Sequence, residues 1–103
     1  MKEKKSQEIS KEKIDFIKTE TIGGELDFDL KLKGYENRLI LFEGYGYSKK
    51  DFGILLWGNK VKEIGISSHK KAIKLLEEIK NRKLKKYEKK ALIKGFKAKK
   101  VKY

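Results

Sequence analysis

Lysine is the most abundant reactive side chain in this sequence, and it is unevenly placed. From His69 to Tyr103 there are 15 lysines or arginines against three acids, Glu77, Glu78 and Glu88, whereas residues 1 to 68 carry 13 basic and 12 acidic side chains. Of the formal net charge of +13, +12 therefore lies beyond residue 68. Charge segregated in this way raises a positive potential of several kT over one part of a surface, which points to a polyanion: DNA, RNA or an anionic membrane. Only Arg38 and Arg82 are arginines, against 26 lysines. Lysine is a hydrated point charge suited to phosphate, while arginine's planar fork reads guanine edges, so this composition predicts affinity with little sequence preference. A codon bias toward lysine would explain the ratio but not its position in the chain.

Three groups of residues are candidate contacts. Ser67, Ser68, His69, Lys70 and Lys71 stand at the start of a predicted helix, where Asp and Glu are normally preferred. Hydroxyls, ammoniums and free backbone N–H groups converging there would take a phosphate, although Lys70 and Lys71 pointing to water is an equal reading. Arg82, Lys85, Lys86 and Lys89 share one face of a second, weaker helix, continued by Lys97, Lys99 and Lys100 in the tail. Like charges at i,i+3 and i,i+4 oppose such a helix unless an anion lies against it. Tyr45 and Tyr47, at i,i+2 between glycines, fall on one face of a predicted strand, where bases would stack. His69, the one histidine, reads as a surface or phosphate-contacting residue rather than a metal ligand or general base.

The best case for catalysis is Glu25, Asp27 and Asp29 on one strand face with Lys31, and Asp15 on the neighbouring strand. Asp29-Leu30-Lys31 resembles the Asp/Glu-x-Lys half of metal-dependent nuclease sites, in which carboxylates hold Mg²⁺. With lysine a quarter of the chain, an acid two residues before a lysine arises repeatedly by chance. The expectation is therefore no catalytic residue, no metal and no cofactor. The absence of cysteine also excludes a disulfide scaffold and a thiolate site.

The elements expected to position these residues form a single small α+β fold of 103 residues. Residues 1–13 read as a disordered lead-in, 14–80 as the α+β domain and 81–103 as a strongly basic helical extension and tail. Five strands are expected, as an antiparallel meander forming a curved sheet or half-open barrel. They are Ile14 to Thr21, the alternating Leu26–Leu32, Arg38 to Tyr47, Phe52 to Trp57 and Val61 to Ile66, with turns at Gly23-Gly24, Gly34–Asn37, Ser48–Asp51 and Gly58-Asn59. One or two C-terminal helices follow. The first has Ser67 or Ser68 as N-cap and an apolar stripe of Ala72, Leu75, Leu76 and Ile79. The second runs from about Arg82 to Lys94, ends at Gly95, and has Leu84, Tyr87 and Ala91 as its stripe. No run approaches the roughly 18 apolar residues of a membrane span and no signal peptide is read, so a soluble, cytoplasmic protein is expected.

Gly44-Tyr45-Gly46-Tyr47 resembles the first ribonucleoprotein motif of RNA-recognition-motif domains over four residues, with Glu43 where that motif has Lys or Arg and Ser48 where it has an aliphatic. The order of meander then helix, with Gly65-Ile66-Ser67 leading into the helix, is similar to the Whirly and positive-cofactor-four single-strand binders. These resemblances imply base stacking on Tyr45 and Tyr47 and tilt the expected ligand toward single strands. The leading expectation is a low-specificity nucleic-acid-binding protein. The alternative is a small phage or mobile-element module that acts on a protein or ribonucleoprotein complex by strand addition.

Overall fold

The computed structural model describes residues 9–101 as α1 (Lys11–Thr21), α2 (Phe28–Lys31), β1 (Ile40–Phe42), β2 (Tyr45–Tyr47), α3 (Lys49–Ile64), α4 (His69–Lys80) and α5 (Lys86–Lys97). The five-stranded meander is overturned. Among the described residues the one sheet is the antiparallel β1–β2 hairpin, in the register Ile40↔Tyr47, Leu41↔Gly46, Phe42↔Tyr45, and the rest of the regular structure is helix. Residues 1–8 of the expected lead-in lie outside the described residues, and Lys11, Glu12 and Lys13 open α1.

Each misread strand has a physical reason. Ile14 to Thr21 is the body of α1, started by Ser10, whose hydroxyl accepts the Lys13 N–H. Its buried pair is Ile17 and Thr21, four residues apart, which is a helix spacing. The Leu26–Leu32 alternation fails at Leu30, which is 58% exposed while Leu26, Phe28 and Leu32 are buried. Asp27 turns the chain instead, its carboxylate accepting the Gly23 N–H at 2.6 Å and the Leu30 N–H at 3.2 Å to cap α2. Arg38 to Tyr47 is not one strand. It folds back at Glu43 and Gly44, both at positive φ (50° and 83°), into the hairpin.

The fourth and fifth expected strands are one helix, α3. Ser48 accepts the Asp51 N–H at 3.2 Å, so the predicted Ser48–Asp51 turn is a helix N-terminus. Phe52, Ile54, Leu55, Leu56, Trp57, Gly58 and Val61 are all buried. A helix covered on nearly every side shows no amphipathic period, and its short apolar run cannot be told from a buried strand. Gly65, at φ 143°, closes the helix, its N–H donating to the Val61 carbonyl.

Gly58 and Asn59 make no turn; they join α3 to α5. A Cβ on Gly58 would lie 2.6 Å from the Leu92 carbonyl oxygen, and one on Gly95 would overlap the Leu55 carbonyl. The two helix backbones therefore touch, and this is the most extensive packing between elements. Gly95 accordingly lies inside α5, which continues to Lys97. Asn59 Nδ2 donates to the carbonyls of Gly95 (2.9 Å), Ala98 (3.2 Å) and Lys99 (2.8 Å), while its Oδ1 accepts the Val101 N–H at 3.1 Å. One side chain thus satisfies the end of α5 and the residues after it. On the far side of α3, Trp57 Nε1 donates to Thr21 Oγ1 at 3.0 Å, and that hydroxyl donates to the Ile17 carbonyl. Among the described residues no helix is long and apolar enough to cross a membrane.

Candidate nucleic-acid interface

The candidate surface is carried by α4, α5 and the turn between them. Ser68 is the N-cap of α4 and its hydroxyl accepts the Lys71 N–H at 3.2 Å. Asn81, in the left-handed region at φ 57°, ends the helix, and the Arg82 N–H closes the turn on the Glu77 carbonyl at 3.2 Å. Carboxylates fix the connection: Glu77 accepts the Leu84 N–H at 2.9 Å and Glu88 accepts the Lys85 N–H at 2.7 Å. Glu88, itself buried, also receives Arg82 through both guanidinium nitrogens, at 2.9 and 2.8 Å. The Arg82 fork holds the Glu88 carboxyl at about 2, against an ordinary value near 4.5, with the backbone N–H of Lys85 assisting against the cost of burial.

Arg82 is thereby placed in the connection, bound to an acid, and not on a helix face with Lys85, Lys86 and Lys89. The helix begins at Lys86 rather than near Arg82. Its buried stripe is Glu88, Ala91, Leu92, Gly95 and Phe96, spaced i, i+3, i+4, i+7, i+8. Leu84 is buried ahead of the helix, and Tyr87 is 54% exposed. With the phase set by the true stripe, Lys86, Lys90 and Lys97 project opposite the core, with Lys89 on one flank and Lys94 on the other. A stripe of Leu84, Tyr87 and Ala91 turns Lys90 and Lys94 away from the expected basic face; Glu88 followed by Ala91-Leu92 and Gly95-Phe96 at helical spacing is the sequence signal for the true phase.

Of the lysines from Lys70 to Lys100, those with a carboxylate partner among the described residues are Lys94, 2.8 Å from Glu43, and Lys100, 3.8 Å from Glu63. Lys70, Lys71, Lys74, Lys83, Lys85, Lys86, Lys89, Lys90, Lys97 and Lys99 have none there, and Lys80 adds to the field that keeps Glu88 ionised. The start of α4 lies beside the end of α5. His69 is half-buried with its ring edge-on to Phe96 at 6.3 Å, and Lys62 Nζ stands 5.7 Å from the Phe96 ring centre. The Ser67 hydroxyl receives Lys71 Nζ at 3.4 Å, while Lys70 and Lys71 are exposed. Lys99 gives its carbonyl to Asn59 and leaves its side chain in solvent.

Tyr45 and Tyr47 share the inner face of the hairpin but differ in setting. Tyr47 is half-buried, 6.2 Å from Phe52, and burial pushes its phenol up; Tyr45 is 69% exposed, its ring edge-on to Tyr47 at 6.0 Å. The strand face that was to gather Glu25, Asp27, Asp29 and Lys31 does not exist. Asp27 caps α2, Asp29 faces Lys49 at 3.8 Å, and among the described residues no group of three or more His, Cys, Asp or Glu is placed to hold a metal ion. A cleft of about 290 Å³ beside Trp57 and Phe28 is lined by Lys50, Lys80 and Arg82 but equally by Asp27, Asp29 and Glu88, so it has no net preference for an anion. No protein-family model, no curated protein and no solved structure matches the chain.

Proposed function

We propose that this protein binds nucleic acid with low sequence specificity, through the outward lysine face of α5 flanked by Lys70 and Lys71 of α4 and by Lys99. The observation that carries this reading is that Lys86, Lys89, Lys90 and Lys97, with Lys70, Lys71 and Lys99, have no carboxylate partner among the described residues, while the helix beneath them is fixed to α3 by backbone contact. Repulsion among like charges at i,i+3 and i,i+4 costs a few tenths of a kcal/mol per pair. The Gly58–Gly95 seam and the Glu88–Arg82 pair keep α5 folded against that cost, and a phosphate backbone would remove it. Membrane binding is less well supported, since the outward side of α5 lacks the Trp, Phe and Leu that interfacial helices insert. The proposal includes a cytoplasmic location.

The test replaces Lys86, Lys89 and Lys90 together by Glu and measures binding to duplex and single-stranded oligonucleotides over a salt series. For the wild type, log K falls against log salt with a slope near −0.9 per phosphate contact on duplex and −0.7 on single strand, and the variant loses affinity and slope together. Its melting temperature does not fall, because the three side chains are exposed. A wild-type affinity indifferent to salt overturns the reading.

One observation favours a second reading, docking on a protein or ribonucleoprotein complex. Leu39 and Leu41 are 71% and 77% exposed on the outer face of the hairpin, Leu39 over Gly46 and Leu41 paired across the strands with it. Bare aliphatic surface of this kind is a protein-contact feature. Replacement of Leu41 by Ser, which adds no charge, separates the two readings: it weakens docking on a protein if this face is the contact and leaves nucleic-acid affinity unchanged.

A further inference from the structure

Two exposed aromatic rings border the lysine face on one side. Tyr87 and Lys94 are seven residues apart on α5, hence on one side of the helix and about 10 Å apart along its axis. Lys94 in turn bonds Glu43 in the hairpin turn at 2.8 Å, and Tyr47 and Tyr45 both add to the field that, with Glu43 foremost, raises the Lys94 ammonium. Glu43 therefore fastens the hairpin to this flank and brings Tyr45 beside the row of Lys86, Lys90, Lys94 and Lys97. Tyr45 is 69% exposed and steadied edge-on by Tyr47; Tyr87 is 54% exposed, with Lys85 Nζ 6.0 Å from its ring centre. Neither ring belongs to the core, and exposed aromatics beside cations of which Lys86, Lys90 and Lys97 have no carboxylate partner among the described residues match the composition of a stacking platform.

Resting on the lysine-face reading, we propose that Tyr45 and Tyr87 form two seats for unpaired bases, which makes the ligand single-stranded nucleic acid whose phosphates follow the Lys86–Lys97 row. A duplex reaches the same lysines, but its bases remain stacked on one another and cannot use the rings. Because every base has a π-face, this selects strandedness without selecting sequence.

The experiment measures affinity for oligothymidylate, for the matching RNA homopolymer and for a duplex, with wild type, Tyr45→Ala, Tyr87→Ala, Tyr45→Phe and Tyr45→Leu. Each alanine is expected to weaken single-strand binding about tenfold and to leave duplex binding unchanged. Tyr45→Phe keeps the affinity, whereas Tyr45→Leu, which retains apolar bulk without a ring, loses it. Salt-dependent binding by the wild type, with equal loss on duplex and single strand or no loss in the alanine variants, overturns the base seats and leaves the lysine face standing. No binding of any of the three nucleic acids by the wild type overturns both.

Discussion

The α3–α5 seam and the β1–β2 hairpin are both built on glycines, and use them oppositely. In the seam, Gly58 and Gly95 remove side chains so that each helix rests on a carbonyl of the other, Leu92 and Leu55 respectively. In the hairpin, Gly44 supplies a left-handed turn residue with open space around it, and Gly46 carries only Leu39 on a face otherwise in solvent. The first arrangement has no tolerance for an added methyl because the obstructing atoms are backbone. The second leaves rings and leucines exposed. The molecule thus holds its lysine-bearing helix rigidly from behind and leaves Leu39, Leu41 and Tyr45 exposed on a separate lobe at the flank.

The sharpest way to break that contrast is Gly95→Ala. A methyl overlapping the Leu55 carbonyl must push two helices apart, and overpacking of this severity is expected to cost about 3 kcal/mol or more. Urea denaturation reads the loss directly. Since α5 supplies the lysine face, the proposed nucleic-acid binding should decline with it. Gly44→Ala, strained only in its own turn, should cost about 1 to 2 kcal/mol without disturbing the core. Equal effects at the two sites would show that the seam is not a close contact.

These glycines also explain what was legible in the sequence. Gly58-Asn59 has the chemistry of a tight turn, and no local feature announces that Gly58 meets Leu92 or that Asn59 caps a helix end some 40 positions later. The apolar run from Phe52 to Trp57 is buried nearly all round, so its periodicity carried no helical signature, and the fold class was lost with it. A signal did exist in Ser48-x-x-Asp51 ahead of the run, a helix-start pattern. Where one face only is buried the reading succeeded: Ser68 caps α4, and Ala72, Leu75 and Leu76 lie beneath it. The charge asymmetry needed no fold to be seen. The assignment of lysines to a face did, because the phase of α5 is set by Glu88, an acid buried only because Arg82 comes back to meet it.

That pair gives the next largest effect. Glu88 has its carboxyl lowered to about 2 by Arg82 and the Lys85 N–H, so its ionised form stabilises the fold fully above about pH 5, by about 3 kcal/mol, and the contribution is lost as pH falls toward 2. Asp51 acts in the opposite sense. Burial raises its carboxyl, so protonation of Asp51 favours the folded state as pH falls. Glu88→Gln is expected to cost about 2 to 3 kcal/mol at neutral pH and to flatten the acid limb of stability against pH. An unchanged acid limb in the variant would mean that carboxylates other than Glu88 govern acid unfolding.

The smallest effect has the opposite sign and lies in the same helix as Gly58. Gly53 occupies the first half of α3, where an added Cβ would lie 3.7 Å from Phe28 Cβ and 3.8 Å from the Asp29 nitrogen, both ordinary contacts. Nothing there requires glycine, whose backbone freedom in the unfolded chain only weakens the helix. Gly53→Ala should therefore stabilise the protein by about 0.5 to 1 kcal/mol, raising the urea midpoint while leaving the slope unchanged. Gly58→Ala, five residues on, gains the same helix propensity but sets its methyl 2.6 Å from a carbonyl, and must come out destabilised. The two substitutions share helix, chemistry and unfolded-state effect, so their difference isolates the contact with α5. A destabilised Gly53→Ala would show instead that α2 presses on α3 as closely as α5 does, and the rigid support behind the lysine face would then extend to both sides of the central helix.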